Sequence, residues 1–216
     1  MKRSLVLVVL MVSMIQFLCL RNGFAGRPLS TDGAWTVEKG QFQLETGFDL
    51  ARQDNHDREI SPSLTLSYGL LENMDIGIGS SYLFVRPKEG ENENGLGDTE
   101  IKLKYRLLGK KIWMPAFAVA GKVKIPTASE SKGLGSGRAD FGINAIFTKE
   151  LSKSFVLHLN LGYTFIGEHG ADNEMNYSGA AQYILSDKWA LLGEIVGVNN
   201  FNGRKRDDPF SGLIGT

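Results

Sequence analysis

The chain is poor in the residues that staple, ligate or catalyse. Its 216 residues include one cysteine and three histidines. The cysteine, Cys19, sits in an N-terminal leader, so a processed chain would carry no thiol. That excludes disulfides, cysteine-ligated zinc and cysteine nucleophiles. Beyond the leader no apolar run approaches the roughly 20 residues of a transmembrane helix, and no segment carries a helical stripe. Proline is sparse, with six, and glycine abundant, with 26, a balance that suits many strands joined by glycine-bearing turns.

Residues 1–25 read as a separate object. Lys2 and Arg3 precede a mostly apolar run from Leu5 to Leu20, and Gly23-Phe24-Ala25 places small residues at the −3 and −1 positions of a cleavage site before Gly26. This is the anatomy of a secretory signal peptide. An uncleaved anchor is the alternative, and a lipoprotein site at Cys19 is disfavoured by Leu18 before it. Cleavage would remove Lys2, Arg3 and Arg21, taking the basic count from 24 to 21 against 24 acids.

Residues 26–39 form an irregular lead-in, expected on the periplasmic side, and the barrel is expected over 40–216. From Gly40 onward the period is two. Phe42, Leu44, Thr46, Phe48 and Leu50 alternate with polar or small residues, and so do Leu64 to Leu70 and Met74 to Phe84. The pattern continues through Ile101 to Leu107, Phe117 to Ile125, Phe141 to Phe147, Phe155 to Phe165, Tyr177 to Leu185 and Trp189 to Val198. A tenth strand begins near Pro209. Such alternation means one apolar and one wet face.

The links alternate as well. Long polar ones at Arg52–Glu59, Arg86–Leu96, Thr127–Gly137, Glu168–Met175 and Asn200–Asp208 are separated by short turns at Leu71–Asn73, Gly109–Lys111, Ser152–Lys153 and Ser186–Lys188. Long loops outside and tight turns in the periplasm are the wiring of an up-and-down membrane barrel. Aromatic residues gather towards both ends of the strands: Tyr68, Tyr105, Trp113 and Trp189 near short turns, Phe48, Phe141, Phe165 and Tyr177 near long loops. A soluble lipocalin-like barrel would need a large apolar filling for this many strands. The expectation is an all-β, up-and-down antiparallel transmembrane β-barrel.

With apolar rows towards lipid, the alternate rows face a lumen. A tight turn at Gly109–Lys111 would set Glu100 opposite Lys122 and Asp98 opposite Lys124. Lys102, Lys104 and Arg106 would then face Ala120, Ala118 and Ala116, which leave them space, while Tyr105 meets Phe117 and Leu103 meets Val119. His158 and Asn160 lie on another lumen-facing row. The lumen-lining candidates are thus Asp98, Glu100, Lys102, Lys104, Arg106, Lys122, Lys124, His158 and Asn160. They describe either a channel for polar or anionic solutes or a filled barrel whose charges satisfy one another.

No catalytic machinery is expected. A His–Asn pair two apart on a strand resembles part of a triad, but no serine elbow accompanies it. His56 and His169 fall in outer loops. The glycine-rich stretch Lys132–Arg138 opens a strand rather than a helix, so a flexible outer loop is expected there and not a phosphate cradle. Asp172, Asn173 and Glu174 lack the spacing of a calcium cage. No metal, cofactor or nucleic-acid partner is expected; the expected partners are membrane lipid and small-molecule solutes.

Several segments also resemble a known family. Arg27-Pro28-Leu29-Ser30-Thr31-Asp32 followed by Thr36-Val37-Glu38-Lys39 and Gly40-Gln41-Phe42-Gln43-Leu44-Glu45 is similar to the MetA-pathway-of-phenol-degradation, or transporter-like, outer-membrane proteins. Gly95-Leu96-Gly97-Asp98 with Lys104-Tyr105-Arg106, and Gly133-Leu134-Gly135-Ser136-Gly137 with Asp140-Phe141-Gly142, resemble the same family. The resemblance implies an outer-membrane barrel of about twelve strands taking up small compounds, aromatic ones among them. It carries over no catalytic residues. Such barrels typically close on a strand ending in an aromatic residue, whereas this chain stops at Gly215-Thr216. A C-terminus lacking two strands is therefore expected, with closure at ten strands as the alternative. The functional expectation is an outer-membrane channel or transporter, with a non-conducting barrel whose loops bind partners as the alternative.

Overall fold

In the computed structural model, which describes residues 30–52, 58–88, 90–109, 114–186, 189–200 and 210–215, the alternating segments are strands. They are β1 (Phe42–Arg52), β2 (Arg58–Leu71), β3 (Met74–Arg86), β4 (Glu93–Leu108), β5 (Ala116–Ile125), β6 (Asp140–Ser152), β7 (Phe155–Phe165), β8 (Glu174–Ser186), β9 (Trp189–Asn200) and β10 (Phe210–Gly215). Each pairs antiparallel with the next, giving one ten-stranded sheet in chain order that curls into a half-barrel. The two-residue links β2–β3, β6–β7 and β8–β9 fit hairpins within this order. Among the described residues the one helical element is a 3-10 turn at Glu130–Lys132, and no helix is long and apolar enough to cross a membrane. The leader 1–25, lead-in residues 26–29, His56, Trp113 and Pro209 lie outside the described residues.

The strands are longer than the alternation alone suggested. β4 begins at Glu93, inside the segment read as the Arg86–Leu96 loop, and runs 16 residues. At about 3.3 Å per residue it spans roughly 50 Å, more than a tilted strand needs to cross an apolar band of about 25 Å. Polar strand ends can continue the ladder where water already meets the sheet, and hydropathy is blind to that continuation.

Which face is wet is decided by burial. Phe42 is 69% exposed, Leu50 71%, Leu161 55% and Ile143 54%. The buried residues include Asp75, Lys104, Thr148, Thr164 and Glu194, while the apolar ones buried on strands are Ala116, Ala118, Ala120, Ile146 and Ala180. A water-soluble fold shows the reverse, since apolar area gains by leaving water. The inverted arrangement is compatible with a sheet whose convex face meets hydrocarbon. Aromatic side chains mark that face: Phe42 and Tyr68 contact at 4.7 Å between ring centroids, and Trp189 is 64% exposed.

One expected register needs correction. Glu100 pairs with Lys124, Lys102 with Lys122, Lys104 with Ala120 and Arg106 with Ala118, two residues away from the pairing a tight Gly109–Lys111 turn would impose. Tyr105 and Leu103 accordingly meet Val119 and Gly121. The connection runs from the end of β4 at Leu108 to the start of β5 at Ala116, and a bulge at Arg106/Leu108 adds further slack. Gly109, at φ 90°, turns the chain where a Cβ would fall 2.4 Å from the Ala116 Cα. A shift of two preserves the side-chain faces and a shift of one would invert them, so the charged row stays inside. The expected ion pairs also form, now between diagonal neighbours: Glu100–Lys122 at 3.8 Å and Asp98–Lys124 at 3.6 Å.

The convex assignment is testable. Leu161→Arg, central on β7, should destabilise the barrel in lipid by about 2–4 kcal/mol, measured by denaturant unfolding in vesicles. An unchanged midpoint would mean that Leu161 does not face hydrocarbon.

Candidate functional site

Every second residue of the strands points to the concave face, which is polar and is not empty. The irregular segment 30–38 lies across it as a strap. It starts against β9 and β8, passes β7, β6 and β4, and reaches the β2–β3 turn before Gly40 leads into β1. Lys39 forms a parallel bridge with Gly69, and Gly40 N–H donates to the Gly69 carbonyl at 2.8 Å. Residues 30–38 of the lead-in thus lie against the inner wall.

A segment outside any ladder must find side-chain partners for its backbone, and the wall supplies them strand by strand. Glu194 on β9 accepts from the N–H groups of Ser30 and Thr31 and from the Thr31 hydroxyl. That hydroxyl also lies 2.9 Å from Ser178 Oγ on β8. Asn160 on β7 takes the Asp32 N–H at 2.9 Å and returns its own N–H to the Asp32 carbonyl at 2.8 Å, imitating a strand neighbour. Thr148 on β6 accepts the Ala34 N–H at 2.9 Å, and Asp75 on β3 accepts the Val37 N–H at 2.9 Å.

Cations from β4 complete the fastening. Lys102 pairs with Asp32. Lys104 reaches the Gly33 carbonyl at 3.4 Å and Asp75 at 3.8 Å. Arg106 lies over the Trp35 ring at 5.6 Å and donates to the Glu72 carbonyl at 2.8 Å, a cation–π contact joined to a hydrogen bond. Beneath the strap Ala34 packs with Ala116, Ala118, Ala120 and Ile146, with Trp35 against the same cluster. The alanines therefore make room for the strap, whereas the sequence suggested room for the long cations.

Asp98, Lys124 and Asp140 meet near the β5–β6 loop, Lys124 standing 3.6 Å from Asp98 and 2.6 Å from Asp140. Asp98 also accepts the Ala128 N–H at 3.0 Å, and Lys124 reaches Ser136 at 3.1 Å. Leu134 in the same loop is buried and lies close enough to Gly95 that a Cβ there would come within 2.8 Å of it. The glycine-rich loop, expected to be flexible, is tied to β4 by these contacts. His158 and Asn160 do not orient one another: His158 Nδ1 lies 2.9 Å from the Thr148 hydroxyl, while Asn160 clasps Asp32. Sequence reasoning missed Asp32, Asp75, Thr148 and Glu194. A faint signal existed for Glu194, an acid on a wet row whose β8 neighbour is Ala180 and which therefore lacks a cation directly across from it.

Two cavities flank the strap. The larger, about 390 Å³, is bordered by Asp32, Glu100, Lys102, Lys122, Asn144 and Asn160 among others. The smaller, about 170 Å³, is bordered by Trp35, Glu45, Asp75, Lys104 and again Asp32 and Lys102. The described residues contain no cluster of three or more His, Cys, Asp or Glu able to hold a metal. The arrangement can hydrogen-bond and balance charge on small polar molecules.

A protein-family model described as "Putative MetA-pathway of phenol degradation" matches residues 25–211. The chain belongs to that family. The span matched in this MetA-pathway family member takes in the strap, strands β1–β9 and the start of β10. The family's name associates the protein with a phenol-degradation pathway. No curated protein matches the chain.

The polar fastening gives this family member a clear mutational signature. Glu194→Ala leaves the Ser30 and Thr31 N–H groups without their acceptor and should cost about 1–3 kcal/mol. Glu100→Ala, which removes a half-exposed ion pair with Lys122, should cost about 1 kcal/mol or less. Denaturant unfolding in detergent checks both, and limited proteolysis should cut the strap sooner in the Glu194 variant alone.

Proposed function

We propose that the protein is exported through its N-terminal leader, resides in the bacterial outer membrane and passes small polar solutes through the barrel lumen. The observation that carries this reading is the inverted distribution of side chains, apolar outside and charged within. In lipid only closed barrels and helices satisfy their backbone groups, and a lumen lined by paired charges and amides offers water and polar solutes a route. The two cavities support the route. The family name extends the solute range towards aromatic compounds, for which Trp35, at the edge of the smaller cavity, is a suitable neighbour.

A second reading rests on the strap. A lumen crossed by a fastened segment suits a non-conducting barrel whose outer loops bind partners, and the ordered β5–β6 loop would then be the contact element. We propose no catalytic role in either case, since no serine motif accompanies His158 and Asn160.

Swelling of liposomes carrying the folded, full-length protein separates the two readings. The transport reading expects swelling in small neutral and charged solutes, with the rate falling as solute size rises. No swelling, with the barrel shown to be folded by its heat-dependent gel migration, would leave the interaction barrel.

A further inference from the structure

The strap divides the concave face, and two residues, Asp32 and Lys102, border the cavities on both sides of it. They are each other's ion-pair partners. Around the larger cavity Asp32 and Glu100 face Lys102 and Lys122, two acids against two bases. Around the smaller one Asp32, Glu45 and Asp75 face Lys102 and Lys104. Lys102 and Lys122 pair directly across β4 and β5, an arrangement of like charges that is unfavourable unless each has its own counter-ion. Glu100 serves Lys122 at 3.8 Å, and Asp32 serves Lys102.

The sheet wall does not hold this last acid. Asp32 is carried on the strap, and Asn160 grips its peptide on both sides, which fixes where the carboxylate stands. We infer that Asp32 is the charge-selecting residue of the lumen: by cancelling Lys102 at the junction of the two cavities, it keeps a two-lysine rung from attracting anions. Charged side chains at a constriction decide which sign of ion passes, because a low-dielectric wall focuses their field on the path. With Asp32 neutral, the larger cavity would carry one acid against two bases and favour carboxylates, phosphates and chloride. This inference rests on the transport reading above.

The test is the reversal potential of the full-length protein in planar bilayers under a potassium chloride gradient near 0.1 M, where the Debye length is about 10 Å. Asp32→Asn should raise chloride-over-potassium permeability several-fold, Lys102→Gln should shift it the opposite way, and the double variant should return it close to wild type. The shifts should fade near 1 M salt, where the Debye length is about 3 Å. Current with unchanged selectivity in both single variants would overturn the inference and leave the transport reading standing. No current through the folded wild type would end both. Because Asp32→Asn could act by releasing the strap, the same substitution is also measured with Thr31→Cys and Ser178→Cys oxidised to a disulfide, at the site where the two hydroxyls lie 2.9 Å apart. Persistence of the shift in the stapled protein supports a fixed charge, and its disappearance overturns that assignment.

Discussion

Side chains on a strand alternate, so a sheet that gathers its apolar rows on one face must turn the polar rows to the other. This coupling governs the protein. Outward rows of leucine, isoleucine and phenylalanine leave polar residues to fill the interior, and like charges gathered on one wall repel unless each is neutralised locally. Lys124 between Asp98 and Asp140, Lys104 beside Asp75, and Lys102 with Asp32 each meet that requirement. The even register shift between β4 and β5 follows from the same coupling, since an odd one would turn Lys102, Lys104 and Arg106 onto the apolar outer face.

The strap is the less obvious consequence. Its backbone has no ladder beyond the single bridge at Lys39 and Gly69, yet it lies deep enough that Thr31 and Ala34 are buried. Unsatisfied peptide groups there would be costly, and the wall meets them with Glu194, Asn160, Thr148 and Asp75. Several of the polar residues on the concave face are thus accounted for by structure before any solute is considered. Trp35 and Ala34 add a small apolar footing on the alanine patch of β5.

Membership of the MetA-pathway family and the chemistry of the lumen bear on different questions. The family name speaks to a metabolic setting, whereas the wall speaks to what can be accommodated. Paired charges and amides suit hydrated, hydrogen-bonding molecules, and Trp35 is placed to contact a ring. A fold of this kind hosts many functions, so the argument for any one must rest on the lumen itself.

Period-two hydropathy determined the strands and their inward rows, and it put Glu100 within reach of Lys122 and Asp98 within reach of Lys124 although the register first expected was two residues off. These are local properties, repeated every two residues and at every turn, and they survive errors in strand length or in the exact register. The path of residues 30–38 was decided only by the tertiary structure. Nothing in Ser30-Thr31-Asp32-Gly33-Ala34-Trp35 alternates, and its partners lie 70 to 164 residues away on several strands. The groups that hold it, a carboxylate on β9, an amide on β7 and a hydroxyl on β6, converge only once the sheet has curled. Contacts of that range depend on curvature, which no single strand encodes.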